Sequence, residues 1–178
     1  VDCHLPQDVV YLSRRFIETV AGALEASGAT VSETRVDGVT ALFGLAGATA
    51  TARTHALAAA VAIDRALAGL RRRHEAEFGA PADFTILMHE GHGAVIGDPS
   101  MQAGHLLAAG EAFDTIAALC TADLGHGAAI VATERAAAGL AIAADGPAWR
   151  TAAFADGTPA MRVAVFAAGG ALRNAAAA

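Results

Sequence analysis

The sequence has few cysteines and few aromatic residues, and each scarcity excludes a class of protein. Its 178 residues include 2 cysteines, Cys3 and Cys120, and neither has a CxxC neighbour. This excludes a disulfide scaffold and CxxC metal sites, and it favours reduced thiols in an intracellular protein. Aromatic residues make up 5% of the chain, and alanine dominates the apolar 54%. We therefore expect closely packed helices and a core of small side chains.

The chain also lacks an excess of positive charge and a long apolar run. Its formal net charge of -6 argues against a nucleic acid or an acidic membrane as the main partner. A nucleotide remains compatible, because a metal ion usually offsets its charge. The longest apolar region, HALAAAVAI, ends at Asp64, short of membrane-spanning length, and no secretory signal is visible. We expect a cytoplasmic domain, and its abrupt start at VDCHLP suggests excision from a longer protein, for which membrane attachment is an open alternative.

The length suits one domain, which we assign to residues 1–168, followed by a flexible tail over 169–178. Apolar residues three and four apart predict helices. These helices span 6–27, 49–78 and 111–125. We interpret the basic run Arg71–Arg73 as a solvated part of the second helix.

The Asp37-Gly38 pair lies between two runs with strand character, which predicts a β-hairpin. We predict a strand over 83–90 with 93–97 as its antiparallel neighbour. A loop with a possible strand inside it covers 98–110. A short buried strand covers 128–132, and a hairpin covers 149–166. This order predicts an α+β sandwich with helices on one sheet.

Five short segments carry a family resemblance. They are LPQDVVYLSRRF, VDGVTALFG, THALAAAVAI, ILMHEGHGAVIGD and GEAFDTIAALC. In this order and at about these spacings, they resemble the catalytic domain of the class III nucleotidyl cyclases, the adenylate and guanylate cyclases. The resemblance covers most of the chain. It implies a ferredoxin-like βαββαβ core with an added C-terminal β-hairpin.

The resemblance also implies a reaction. The ribose 3′-hydroxyl of ATP or GTP attacks the α-phosphate, and pyrophosphate leaves. Two Mg²⁺ or Mn²⁺ ions held by two Asp residues of one protomer activate the hydroxyl and clamp the triphosphate. The partner protomer supplies a Lys and an Asp or Thr that read the base, an Asn that orients the ribose and an Arg that stabilises phosphate charge. The expected partner is therefore a second cyclase domain, in a homodimer or a heterodimer.

The metal-binding half of this site is matched in part. Asp37 is at the position of the hairpin Asp, although Val36 replaces the usual Gly before it, and a plain turn residue is the alternative. Asp2 is a tentative match to the first-strand Asp. The spacing from Asp2 to LPQDVV is shorter than in the family, so Asp2 as an ordinary terminal residue stays open.

The other half of the implied site is replaced. Glu33 is at the position of the base-reading Lys, and His105 is at the second base-reading position. Asp114 replaces the ribose-orienting Asn, and Ala118 replaces the Arg. Asp156 is where a phosphate-binding Lys often stands. Together these changes remove positive charge and hydrogen-bond donors from a site that binds a polyanion.

Two other parts of the sequence contain side chains typical of catalytic or metal sites. His89, Glu90 and His92 lack the HExxH spacing of helical zinc proteases, which favours structural or solvent-facing roles. Cys120 lies in a predicted helix without a positioned base, which favours core packing over nucleophilic catalysis.

Three functions fit these observations. The first is a degenerate cyclase domain, a pseudoenzyme that is non-catalytic alone and acts as a dimerising or regulatory module in cyclic-nucleotide signalling. Its dimer surface would include the segment from Gly91 to Gly110. The second is the metal-bearing half of a heterodimeric adenylate or guanylate cyclase. A homodimeric cyclase of altered substrate choice ranks last, because it requires compensation for Asp114 and Ala118.

Overall fold

The computed structural model describes residues 6–45, 49–79, 82–97, 107–122, 124, 128–138, 147–154 and 159–167. The helices are α1 (Pro6–Ala26), α2 (Thr49–Phe78), α3 (Glu111–Thr121) and α4 (Glu134–Ala137). The strands are β1 (Thr30–Arg35), β2 (Gly38–Leu42), β3 (Ile86–Met88), β4 (Ala94–Ile96), β5 (Leu107–Ala109), β6 (Ala128–Thr133), β7 (Ala148–Ala152) and β8 (Met161–Ala167). Among the described helices, none has the length and apolar character needed to cross a membrane.

The three predicted helices are confirmed, with end points close to those expected. The α1 helix ends at Ala26 and the chain turns at Gly28, where φ is +71° and the Gly28 N–H donates to the Glu25 carbonyl at 3.2 Å. Only glycine adopts this left-handed backbone without strain, so its position determines where the helix stops. The α3 helix ends at Thr121, earlier than predicted, and the single-turn α4 was not predicted.

The described strands form three sheets. A four-stranded sheet has the order β3-β6-β8-β7, with β3 and β6 parallel and the other pairs antiparallel. The pairs β1–β2 and β4–β5 are separate antiparallel ladders. The α+β class is thus confirmed, whereas the ferredoxin-like strand order stays a prediction.

The predicted pairing of the two strands after α2 is wrong. The sequence suggested that β4 lies antiparallel to β3, but β4 pairs with β5, the strand inside the predicted loop. The reason is that the chain leaves the sheet after β3 and meets the start of α3. There the Ala112 N–H donates to the His92 carbonyl at 3.1 Å.

Helices cover both faces of the four-stranded sheet. Side chains of a strand alternate between faces. Ile130 and Phe166 pack against Leu57 of α2 and against α4 on one face. Val131 and Val163 pack with Leu119 of α3 on the other face. Because β6 and β8 carry apolar side chains on both faces of the sheet, helices must cover both faces to bury them.

The β1–β2 hairpin is held by α1 and α2 instead. Val20 and Leu24 of α1 meet Leu67 and Leu70 of α2 in a third cluster, which also includes side chains of both hairpin strands. The apolar residues of α2 thus lie on its buried face.

The interpretation of the basic run on α2 as fully solvated is wrong at its first residue. Arg71 donates to Asp64 at 2.8 Å and to the Phe84 carbonyl at 3.1 Å, and its side chain is 18% exposed. Arg71 follows Asp64 by seven residues, which is two helical turns, so both side chains lie on the same buried face. Arg72 and Arg73 are exposed.

Candidate functional site

Asp37 lies at the tip of the β1–β2 hairpin. Arg35 pairs with Gly38 across the turn, which leaves Asp37 in the turn itself. The Asp37 side chain is 74% exposed, and its Oδ1 lies 3.5 Å from Nε of Arg35. An exposed ion pair of this kind contributes little to stability. The predicted hairpin is confirmed, and the carboxylate is accessible to an external partner.

The implied metal requires more ligands than the described residues provide here. No group of three or more His, Cys, Asp or Glu side chains suited to a metal ion occurs in the described part of the chain. Asp37 offers one carboxylate, with a guanidinium as its neighbour. Mg²⁺ is commonly held by one or two carboxylates together with phosphate oxygens. The described residues therefore do not form a metal centre by themselves, and Asp2 lies outside them.

The Glu33 side chain is exposed on β1, opposite Thr40 and next to a bulge in the ladder. A carboxylate at this position accepts hydrogen bonds but has no donor to offer a base. His105 and Asp156 lie outside the described residues.

Asp114 and Ala118 lie one turn apart on α3, so they share a face of that helix. Asp114 is exposed and Ala118 is half-buried. Leu119, fully buried, is the residue of α3 that anchors it to the sheet. The expected core packing of Cys120 is wrong, because Cys120 is exposed. Successive helical residues are rotated by about 100°, so the neighbour of a deeply buried Leu119 points away from the sheet.

The predicted residues thus lie in two parts of the fold. The hairpin that carries Glu33 and Asp37 packs with α1 and α2. The helix that carries Asp114 and Ala118 packs on the four-stranded sheet.

A polar cluster at the ends of β3 and β6 was not found by sequence reasoning. Arg53 of α2 donates from both Nε and Nη2 to the carboxylate of Glu90, the latter at 2.8 Å, and from Nη1 to the Ala138 carbonyl. Arg135 of α4 lies 4.0 Å from Glu90. The hydrogen bonds from Arg53 are the main reason that the pKa of Glu90 is lowered. In the sequence, Arg53 stands among small and polar residues near the start of α2, and nothing in that pattern indicates its partner.

His89 is next to this cluster, on the α3 side of the sheet. Its Nδ1 is 3.0 Å from the hydroxyl oxygen of Thr133. Burial lowers the pKa of His89. As predicted, His89 and Glu90 have structural contacts and His92 is exposed.

The fold is similar to that of solved cyclases. It matches the crystal structure of the guanylyl cyclase Cya2 with a TM-score of 0.73 and 19% sequence identity, over 94% of this chain and 84% of that chain. It matches the adenylyl cyclase CyaB from P. aeruginosa with a TM-score of 0.65 and 11% identity, over 94% of this chain and 87% of that chain. No protein-family model matches the sequence. No curated protein matches it either. The resemblance seen in the sequence is confirmed at the level of architecture: the chain has a nucleotidyl-cyclase-like fold.

Proposed function

We propose that this chain is a cyclase homology domain that is non-catalytic alone and acts as a dimerising or regulatory module in cyclic-nucleotide signalling. The observation that carries the proposal is an exposed apolar pair on the β4–β5 hairpin. Ile96 and Leu107 are direct cross-strand partners, and they are 67% and 66% exposed.

This pair is suited to a second copy of a cyclase domain. Large apolar side chains grouped on a surface mark interaction sites, and burying each one contributes roughly 1.5–3 kcal/mol. Ala94 and Ala109 lie exposed on the same hairpin face, so a partner can approach the backbone closely. The family resemblance implies a dimer surface that includes the Ala-rich helix faces and the segment from Gly91 to Gly110, which contains this hairpin.

The expected lack of activity depends on the replaced donors. A triphosphate requires positive charge, but Ala118 and Asp114 supply none at the positions where the family has Arg and Asn. All 12 basic residues of the sequence are arginines, so no lysine is available to read a base or hold a phosphate. Removing one positioned donor typically costs on the order of 100-fold in rate. We therefore expect cyclic nucleotide formation from ATP or GTP at no more than background.

The association is tested by sedimentation velocity at tens of micromolar. We expect a dimer for the wild type and a monomer for Ile96→Asp/Leu107→Asp. Val10→Asp is the matched control, since Val10 on α1 is also 67% exposed and should leave the dimer intact. A wild type that is monomeric throughout this range, or a dimer unaffected by the double change, would contradict self-association through this surface.

The activity is tested with ATP and GTP in the presence of Mg²⁺ or Mn²⁺. Robust turnover that disappears in Asp37→Ala would overturn the non-catalytic proposal and support the homodimeric cyclase of altered substrate choice.

A second candidate function is favoured by the exposed carboxylate of Asp37 at the hairpin tip. In this case the chain is the metal-bearing half of a heterodimeric adenylate or guanylate cyclase. Mixing it with a cyclase domain that retains the Lys, Asn and Arg should then yield product, and Asp37→Asn should abolish it. Absence of product, or product unchanged by Asp37→Asn, leaves the regulatory module.

A further inference from the structure

His89 joins the ends of two parallel strands through one ring nitrogen only. Its Nδ1 shares a hydrogen bond with Thr133, which ends β6 and is 2% exposed. Its Nε2 is inaccessible to solvent and has no hydrogen-bond partner among the described residues. Within the described part of the chain, the second nitrogen is therefore buried without an acceptor.

Gly91, which lies against Nε2, belongs to a closely packed seam of small residues beneath the first turn of α3. This glycine seam consists of Gly91, Gly93, Gly110 and Ala112. A Cβ on Gly91 would stand 2.7 Å from Nε2 of His89 and 3.0 Å from the Cβ of Ala112. A Cβ on Gly110 would stand 3.0 Å from the Cα of Gly93. The first turn of α3 thus rests directly on the segment that follows His89.

The charges around the ring act in opposite directions. Glu111 in the first turn of α3 and Glu90 after β3 favour the protonated imidazole, and Arg135 of α4 disfavours it. Glu90 is itself bound by Arg53 of α2. Burial is the largest influence, and its effect is to lower the pKa of His89. The partial positive charge at the N-terminus of α3 also disfavours a protonated His89 ring nearby.

We propose that His89 is a pH-sensitive latch, which holds the first turn of α3 against the sheet when it is neutral and releases that turn when it is protonated. A protonated imidazole donates from both nitrogens. The Nδ1 proton can be accepted by Thr133, but a proton on Nε2, beside Gly91, would have no acceptor among the described residues. Protonation therefore favours an open arrangement in which water or Glu111 reaches Nε2. Gly110 connects α3 directly to β5, so the opening is transmitted to the β4–β5 hairpin.

The first test uses the unmodified chain. The His89 ring is titrated by NMR, and hydrogen exchange of the α3 amides is followed from pH 7.5 to pH 5. We expect His89 to titrate below 6.5. Corrected for intrinsic exchange, protection at the Ala112 amide should fall by up to tenfold per pH unit, the limit for one linked proton.

The second test uses matched substitutions. His89→Gln removes the titrating group and should remove the extra pH dependence at Ala112. His55→Gln changes an exposed histidine on α2 and should retain it. The latch is refuted if wild-type His89 titrates at or above 6.5, if Ala112 protection is independent of pH, or if His89→Gln keeps the wild-type slope. The first two outcomes need no variant, so a poorly folded His89→Gln does not prevent a decision.

Discussion

The contrast between Leu119 and Cys120 tests how α3 is attached to the sheet. The side chain of Leu119 has 0% exposure and lies among Val131, Val163 and Val165. Leu119→Ala removes three buried carbons, at roughly 0.8 kcal/mol each. A residual cavity adds to this loss, so the total should be about 3–4 kcal/mol. Cys120→Ala changes the next residue, which is exposed, and should alter the free energy of unfolding by less than about 0.5 kcal/mol.

The assay is urea unfolding followed by circular dichroism, with thermal unfolding as a second measurement. For a domain of this length, the expected loss corresponds to a lowering of Tm by roughly 6–16 °C. The slope of the free energy of unfolding against urea should be unchanged, since the same surface is exposed on unfolding. Equal effects of the two substitutions, or a larger effect of Cys120→Ala, would refute the placement of α3.

Two further predictions concern charged side chains. The pKa of Glu90 is lower in the folded chain, so the unfolded chain binds more protons just below pH 4.5. The contribution of Glu90 to stability is therefore full above pH 4.5 and is lost as pH falls through its folded-state pKa. Urea midpoints measured from pH 6 to pH 3 should show this loss, and Glu90→Gln should reduce the slope. Arg162 stacks over the only Trp of the chain, Trp149, at 4.4 Å from the ring centroid. Arg162→Ala should shift the Trp fluorescence and change the free energy of unfolding by less than about 1 kcal/mol, as for an exposed cation–π pair. An unchanged emission spectrum would contradict this contact.

Local features of the fold were predictable because their causes are local. The apolar spacing along α2 and the glycine after α1 specify where those helices run, whatever packs on them. The Asp37-Gly38 pair likewise predicted the hairpin, although the two residues between its strands are Val36 and Asp37, and Gly38 begins β2. The replacement of an expected Arg by Ala118 is also visible in the sequence alone. The family resemblance could therefore be recognised without coordinates.

The remaining features depend on which distant segments meet. Arg53 and Glu90 are separated by 37 positions, and His89 and Thr133 by 44. No periodicity links such residues, so neither the ion pair nor the buried imidazole could be inferred from the sequence.

The same reason explains the wrong predictions. Hairpin geometry alone favoured β4 as the neighbour of β3, but the parallel pairing of β3 with β6 and the contact of residue 92 with α3 gave β4 a different partner. The position of Cys120 on α3 was known, but the side of α3 that faces the sheet was decided by where Leu119 packs. Sequence periodicity thus determined the elements of this protein, while the long-range packing of its sheet decided which side chains are buried, paired or left exposed.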